Sequence, residues 1–400
     1  MPQASERSPV GSGVVVRVVP ADTSTRVQPS HLTYLAAARF EAARSVAVLP
    51  AGHRARRLHG HGFLARVRAT LPTGWAPFPG GEVEALRANL DAAVADLDYR
   101  FLNEAIAVPT DENLARWLRE RLQSAGLSAS AVPGLQTVGV QSTPDQGADL
   151  DADGHVHVWR RFRFEAAHQL PNVPPGHPCG RMHGHGFEVV LHADQSLARD
   201  QDLGIDFDVL AARWAPLQQA LDCRCLNDIE GLANPTSELL AVWLWAQLKP
   251  AIPELSWVTV YETVTAGCHF DGARHRIWKE QRFEGALRLA HAPEGNPARR
   301  LHGHSYVLRL HLTAPLDATL GWTVDYGDVK RLFEPVYRRL DHHRLDEVPG
   351  VGDGDVASLL HWIRDQAAAE LPAMDRIDLL ERTGCGAFLA WGDEAPALPG

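Results

Sequence analysis

The chain has 400 residues, of which 45% are hydrophobic and 22% are charged, and its formal net charge is −10. This is the composition of an ordinary globular protein of two or three domains, and the acidic balance argues against a nucleic-acid-binding protein, which would show a basic face. No apolar run is typical of a signal peptide or a membrane span, so we expect a cytoplasmic protein whose five cysteines are thiols.

A His-Gly-His motif divides the chain into three copies of one module. The motif begins at His59, His183 and His302, and Phe-Glu and Leu-Asp dipeptides recur in the same register. Self-similarity of this kind indicates tandem repeats. In chain order we predict a tail (1–30), module 1 (31–143), an exposed linker rich in Pro, Gly and Asp (144–154), module 2 (155–272), module 3 (273–393) and a second tail (394–400).

Module 2 shows the predicted elements most clearly. Residues 156–167 and 187–193 have strand-like patterns, and 207–221 has apolar residues at helical spacing. Thr236 opens a second helix, and strands follow near 257–261 and 268–270. This order predicts an α+β module with a four-stranded antiparallel sheet and its helices on one face. The sheet edges would be open, so we expect the copies to pair edge to edge.

Three histidines of module 2 form a candidate metal site. His183 and His185 are two residues apart, so on a strand both side chains point to the same side. His168, at the end of the preceding predicted strand, is the candidate third ligand. Three imidazoles suit zinc with one position open for substrate, although the ligand type alone also allows iron or nickel.

Modules 1 and 3 lack this third ligand. Arg44 and Leu287 stand at the position of His168, and neither can bind zinc. We therefore interpret His59/His61 and His302/His304 as vestigial or structural. His53 or His291 could substitute as a third ligand.

Cys179 precedes His183 by four residues, and the two other modules carry alanine at its position. A divalent cation close by would lower the pKa of the thiol, which favours a thiolate that acts as a base or nucleophile. An inert buried thiol is the alternative. Because the thiol accompanies the complete histidine set, we favour the functional interpretation.

Together these residues resemble the 6-pyruvoyltetrahydropterin synthase / 6-carboxytetrahydropterin synthase family. The resemblance rests on Phe164-Glu-Ala-Ala-His168, on Cys179-x-x-x-His183-Gly-His185, on Leu221-Asp222 and on Glu262. It implies tandem tunnelling-fold (T-fold) modules, ββααββ, whose sheets close a pseudo-trimeric barrel with helices outside. It also implies a homodimer of such chains, zinc held by His168, His183 and His185, and a proton-transferring Cys179.

The sequence departs from the family pattern at the Asp-His pair that assists the cysteine. Module 2 has Cys223 in place of this histidine, whereas module 3 keeps Asp341-His342. We hypothesise that His342, oriented by Asp341, reaches across to Cys179 within one chain. A surface histidine without this role is the alternative.

The resemblance further implies a glutamate that anchors a pterin ring. Glu262 and Glu381 hold equivalent positions, and we favour Glu262, whereas module 1 has Ser142 there. A carboxylate can accept two N–H bonds from the aminopyrimidine edge of a pterin.

The predicted function is a zinc-dependent lyase similar to 6-carboxytetrahydropterin synthase, acting on 7,8-dihydroneopterin triphosphate or a close analogue. One alternative is a 6-pyruvoyltetrahydropterin synthase or another pterin enzyme of the same fold. Another is a non-catalytic zinc- and pterin-binding protein. The pathway, queuosine or biopterin, stays open.

Overall fold

The computed structural model describes residues 30–124, 131–198 and 200–392. The two predicted tails, apart from Ser30, lie outside these residues. Each module contributes two helices, four long strands and one two-residue strand to the described parts of the chain. No helix among these residues is long and apolar enough to cross a membrane.

The element order is the same in all three modules. Module 1 contains β1 (His31–Arg44), β2 (His59–Ala69), α1 (Glu82–Ala95), β3 (Arg100–Phe101), α2 (Asp111–Gln123), β4 (Leu135–Thr143) and β5 (Gln146–Asp151). Module 2 contains β6 (His155–His168), β7 (His183–Ser196), α3 (Phe207–Leu221), β8 (Arg224–Cys225), α4 (Ser237–Leu248), β9 (Leu255–Thr263) and β10 (Ala266–Phe270). Module 3 contains β11 (His275–Leu287), β12 (His302–Thr313), α5 (Tyr326–Tyr337), β13 (His343–Arg344), α6 (Val356–Ala367), β14 (Met374–Arg382) and β15 (Cys385–Ala390).

Twelve of these strands form one closed antiparallel barrel. The order is β10-β9-β7-β6-β5-β4-β2-β1-β15-β14-β12-β11, and β11 pairs again with β10. The last strand of each module pairs with the first strand of the next, through β5–β6, β10–β11 and β15–β1. Closure removes the sheet edges that a single module would leave open. The predicted α+β architecture of three T-fold modules closing a barrel is therefore confirmed.

The predicted linker at 144–154 is wrong, because most of it is the barrel strand β5. Its Ala148 and Leu150 are buried on the core side, while Asp149 on the opposite face pairs with Arg66 at 3.1 Å. The strand alternation is present, with a period of two. Its acidic residues and glycine resemble those of an exposed loop, and only the pairing of β5 with β4 and β6 shows that they are strand positions.

A stacked aromatic pair recurs beside the His-Gly-His strand in every module. The ring centroids of Phe164 and Phe187 are 5.1 Å apart, and the equivalent pairs are Phe40–Phe63 at 4.9 Å and Phe283–Tyr306 at 4.8 Å. All six rings are buried. Each pair is worth about 0.5–1.5 kcal/mol beyond its buried area. Because each pair packs across the two strands, it fixes their register. In module 2 the pair lies four residues from His168 and His183, which this register brings together.

Candidate metal centre

Strand register brings together the three predicted ligands of module 2. In the antiparallel pair β6–β7, His168 lies opposite His183, and His185 follows on the same face. The centroids of the imidazole rings are 4.5 Å apart for His168–His183, 5.1 Å for His168–His185 and 4.9 Å for His183–His185.

Backbone carbonyls orient two of these rings. His168 Nδ1 lies 2.9 Å from the carbonyl oxygen of Pro235, and His183 Nδ1 lies 2.8 Å from that of Arg181. A carbonyl oxygen only accepts, so Nδ1 carries the proton and Nε2 keeps its lone pair. This is the arrangement by which proteins fix the tautomer of a metal-binding histidine.

Burial favours the neutral form of two of these imidazoles, His168 and His185. Desolvation lowers the pKa of His168 to about 4, with a smaller effect of His183 and His185, and it also lowers the pKa of His185. The Nε2 atoms of His168 and His185 are buried and lack a hydrogen-bond partner among the described residues. Buried nitrogen lone pairs without partners are the donor set that a zinc ion satisfies, so the residues fit the predicted metal.

Glu262 lies at the same point, on the neighbouring strand β9. Its Oε1 is 3.7 Å from Nε2 of both His168 and His185, and one atom from each of the four residues lies within 4.8 Å of the others. Burial raises the pKa of Glu262 to about 7, and the nearby Glu238 and Asp325 carboxylates add to this. At neutral pH about half of this carboxyl is therefore ionised, and the ionised form can accept hydrogen bonds or bind a cation. Its role as pterin anchor stays a prediction.

Glu381, the other candidate anchor, lies elsewhere. It borders a separate cavity of module 3 together with His302 and His304. Burial raises its pKa to about 7 as well. Of the two glutamates, Glu262 is thus the one beside the complete histidine set.

Cys179 lies in a 3₁₀ turn, Pro178–Gly180, just before the His-Gly-His strand. Its backbone N–H donates to His177 Nδ1 at 3.2 Å, and His177 Nε2 lies 3.0 Å from the Asp325 carboxylate of module 3. Burial raises the pKa of the thiol, and Glu262 and Asp325 raise it further. The protein groups alone thus raise the pKa of the thiol. The lowered pKa predicted from the sequence requires a divalent cation at the histidines.

Module 3 supplies the other wall of the site, through the loop before α5. Thr236 Oγ1 donates to Gly321 O at 2.6 Å, and Thr323 N–H donates to Glu238 Oε1 at 2.8 Å. The ring of Trp322 contacts that of His177. Sequence reasoning missed this loop and the His177–Asp325 pair. Only the neighbour order of the modules in the barrel could have identified them.

The Asp341–His342 pair lies beside its own module's strand β11. His342 N–H donates to Glu284 O at 2.7 Å, and the Asp341 carboxylate accepts the Glu284 N–H at 3.0 Å. His342 Nδ1 lies 3.0 Å from Asp341 Oδ2, and the His342 side chain is 77% exposed. The contacts of module 3 with the loop 171–181 that carries Cys179 come from Thr319, Trp322 and Asp325. Delivery of His342 to Cys179 within one chain stays a prediction that these contacts do not support.

The substitute ligands considered for modules 1 and 3 do not join the His-Gly-His motifs. His53 pairs with Asp208 at 2.9 Å, and His291 pairs with Asp353 at 2.9 Å. Among the described residues, one other group of metal-ligating type comes together, His53 with Asp206 and Asp208. In that group Asp208 already pairs with Arg160 at 3.1 Å, so it is an ion-pair cluster between modules.

Comparison with known proteins agrees with this architecture. The family model described as 6-pyruvoyl tetrahydropterin synthase matches residues 34–153, 157–273 and 276–390. The 6-carboxy-5,6,7,8-tetrahydropterin synthase of Synechocystis sp. is 40% identical over 123 residues, which are 29% of this chain and 94% of that protein. The dihydroneopterin monophosphate aldolase of Pyrococcus furiosus is 32% identical over 112 residues, 27% of this chain and 95% of that protein.

Among solved structures, the 6-pyruvoyl tetrahydropterin synthase of Caenorhabditis elegans covers 28% of this chain and 90% of its own, with 23% identity and a TM-score of 0.26. The three matches of the family model span almost all the described residues. The chain therefore belongs to the 6-pyruvoyl tetrahydropterin synthase family, as a tandem triple member.

Proposed function

Because the chain belongs to this family, we propose that module 2 is a zinc-dependent lyase similar to 6-carboxytetrahydropterin synthase. Its substrate would be 7,8-dihydroneopterin triphosphate or a close analogue, which would lose triphosphate and side-chain carbons to give a 6-substituted tetrahydropterin. One observation carries this proposal: among the described residues, a three-imidazole donor set occurs in module 2 alone, and a thiol accompanies it.

In this proposal His168, His183 and His185 hold the zinc through Nε2. The bound ion would act as a Lewis acid that polarises oxygen atoms of the substrate side chain. The backbone carbonyls of Pro235 and Arg181 keep two of the rings in the correct tautomer, and burial keeps the His168 ring uncharged.

Glu262 is the proposed anchor of the pterin ring. Its carboxylate would accept the N–H groups of the aminopyrimidine edge, and charge-assisted pairs of this kind are strong and directional. Its raised pKa of about 7 makes this acceptor most effective above neutral pH, where the carboxylate is ionised.

Cys179 is the proposed proton-transferring residue, at the side-chain carbons of the substrate. His177 acts as a positioning residue, because it binds the Cys179 N–H and is itself held by Asp325. The exposed Asp341–His342 pair is accessible from solvent or from another chain. We propose that it serves the thiol of a second copy in a homodimer.

The first test combines metal analysis with turnover. Wild-type protein and the Cys179→Ala variant are assayed with dihydroneopterin triphosphate and with the monophosphate, and Cys225→Ala serves as a matched control. We expect one zinc per chain in all three proteins and turnover that only Cys179→Ala loses. Turnover of the monophosphate alone would move the assignment to an aldolase-type reaction, and bound zinc without turnover of either would favour a non-catalytic pterin-binding protein.

A further inference from the structure

A cavity of about 590 Å³ lies between modules 1 and 2, where module 1 has its counterpart of the metal centre. The ends of β1 and β2 form one side, with Arg44, His59 and His61, and the loop 203–208 of module 2 forms the other. The size falls within the range of small-molecule sites.

Arg44 occupies the place of the metal-binding histidine in this cavity. Its Nη1 donates to Pro109 O at 3.0 Å and to Asp111 Oδ1 at 2.7 Å, and its side chain is 8% exposed. A guanidinium is permanently charged and has no lone pair to offer. Module 1 therefore keeps a cavity, but the Arg44 guanidinium stands where module 2 would hold a metal ion.

Two buried carboxylate oxygens in the wall of this cavity are unpartnered. Glu112 Oε1 accepts the Gly204 N–H at 2.9 Å, but Glu112 Oε2 and Asp111 Oδ2 have no hydrogen-bond partner among the described residues. The two residues are 1% and 2% exposed. Leaving such an acceptor unsatisfied costs about 1–3 kcal/mol.

The equivalent carboxylate of module 2 shows what has changed. Glu238 Oε1 accepts from Thr323, as Glu112 does from Gly204, and Glu238 Oε2 accepts from the Ser237 hydroxyl at 2.9 Å. Asp111 stands in module 1 where Ser237 stands in module 2. The substitution replaces a donor by a second acceptor, so neither oxygen has the hydroxyl partner that Glu238 Oε2 has in module 2.

The mouth of the cavity carries two arginines beside Asp206 and Asp208, and Asp208 already pairs with Arg160. Arg54 and Arg57 line it and are exposed, and neither forms an ion pair with a described residue. Their guanidinium groups would attract an anionic group on a ligand whose other end lies against the buried carboxylates.

We propose that the cavity of module 1 is a metal-free binding site for a heterocycle that combines a cyclic guanidine edge with an acidic substituent. The edge, a ring N–H beside an exocyclic amino group, donates to Glu112 and Asp111. The acidic substituent lies near Arg54 and Arg57. This site does not depend on the reaction proposed for module 2, because it uses neither the histidine set nor Cys179.

The test is calorimetric titration of the full chain with pterin-6-carboxylate, which carries both groups. We expect two equivalents per wild-type chain, one in each of modules 1 and 2. Glu112→Gln keeps the acceptor for the Gly204 N–H but replaces the unpartnered oxygen by an amide that donates, so it should abolish one equivalent. Glu262→Gln should abolish the other, and the double variant should bind none. Glu120→Gln, on the exposed side of the same helix, is the matched control and should keep both.

A second ligand tests whether the site recognises the guanidine edge of the heterocycle. The 2,4-dioxo analogue replaces the amino group by an oxygen, and we expect it to bind the Glu112-dependent site at least tenfold more weakly. Binding that survives Glu112→Gln, or equal affinity for the two ligands at that site, would overturn the proposal. Folding of each variant is checked by its melting transition. A Glu112-dependent site in a protein without zinc or turnover would leave this inference intact while the proposed reaction failed.

Discussion

Arg44 and His168 hold equivalent positions and bind equivalent backbone carbonyls. Arg44 Nη1 donates to Pro109 O at 3.0 Å, and His168 Nδ1 donates to Pro235 O at 2.9 Å. Each proline lies just before the second helix of its module. The position beside the proline carbonyl thus holds a permanent cation in module 1 and a neutral imidazole in module 2. The guanidinium of module 1 repels a metal cation, whereas the imidazole of module 2 can bind one.

The first prediction concerns metal stoichiometry. His183→Ala should lower the zinc content clearly below one per chain, because it removes one of the three imidazole ligands and leaves His168, His185 and the Glu262 carboxylate. His302→Ala, the same change in module 3, should leave one zinc per chain. Elemental analysis of the purified proteins measures both. A full equivalent of zinc in His183→Ala, or loss of zinc in His302→Ala, would place the metal elsewhere.

The second prediction is a gain of metal in module 3. His302 and His304 have ring centroids 5.3 Å apart and rings at 90°, close to the 4.9 Å and 88° of His183 and His185. Leu287 lies opposite His302 in the strand pair, as His168 lies opposite His183. Leu287→His should therefore raise the zinc content from one to two per chain.

The control for this gain is Arg44→His in module 1. There the rings of His59 and His61 are nearly parallel, at 26°, and the change leaves Asp111 without its ion-pair partner. We expect no added zinc in this variant and a destabilisation of about 3–5 kcal/mol, the usual cost of breaking a buried pair. A folded Leu287→His protein with a single zinc would show that register alone does not make the site.

The third prediction tests the proposed role of His342 at the thiol of a second copy. Cys179→Ala and His342→Ala proteins should each be nearly inactive. When they are co-refolded in equal amounts, half of the dimers are mixed and each mixed dimer has one intact site, so about a quarter of wild-type activity should return. A turnover assay of the mixture against each single variant measures this.

Two other outcomes of the mixing experiment have distinct meanings. An inactive mixture of two folded, inactive variants would mean that His342 acts within its own chain. Full activity of His342→Ala alone would mean that the Asp341–His342 pair has no catalytic role.

The fourth prediction concerns pH and stability. Burial raises the pKa of Glu112 from 4.5 to about 7, so the folded state holds this proton more tightly than the unfolded state does. For a raised carboxyl the contribution to stability is complete below pH 4.5 and is lost as the pH rises through 7. Relative to wild type, Glu112→Gln should therefore become more stable between pH 5 and pH 8, by up to roughly 3 kcal/mol.

Urea denaturation of both proteins at pH 5 and pH 8 measures this difference. Glu120→Gln changes the same charge at an exposed position of α2 and should shift the free energy of unfolding by less than about 0.5 kcal/mol at either pH. A difference between Glu112→Gln and wild type that does not change with pH would contradict the raised pKa of Glu112.

Much of the site could be predicted from residue spacing. His183 and His185 point to one side because a strand has a period of two, and His168 faces them because the two strands form a hairpin. The three-module division followed from the repeated motifs in the same way. These properties depend on neighbours in sequence, so the amino-acid order alone carries them.

The rest depended on which distant residues become neighbours. The strand β5 has few apolar residues and looks like a loop until β4 and β6 border it. The His177–Asp325 pair joins residues 148 positions apart, and it exists because β10 pairs with β11. The sequence by itself determined the fold of each module and the donors of the candidate metal centre, which local periodicity encodes. Only the closed barrel decided which loop walls each site, because contacts between modules depend on the order of the strands around it.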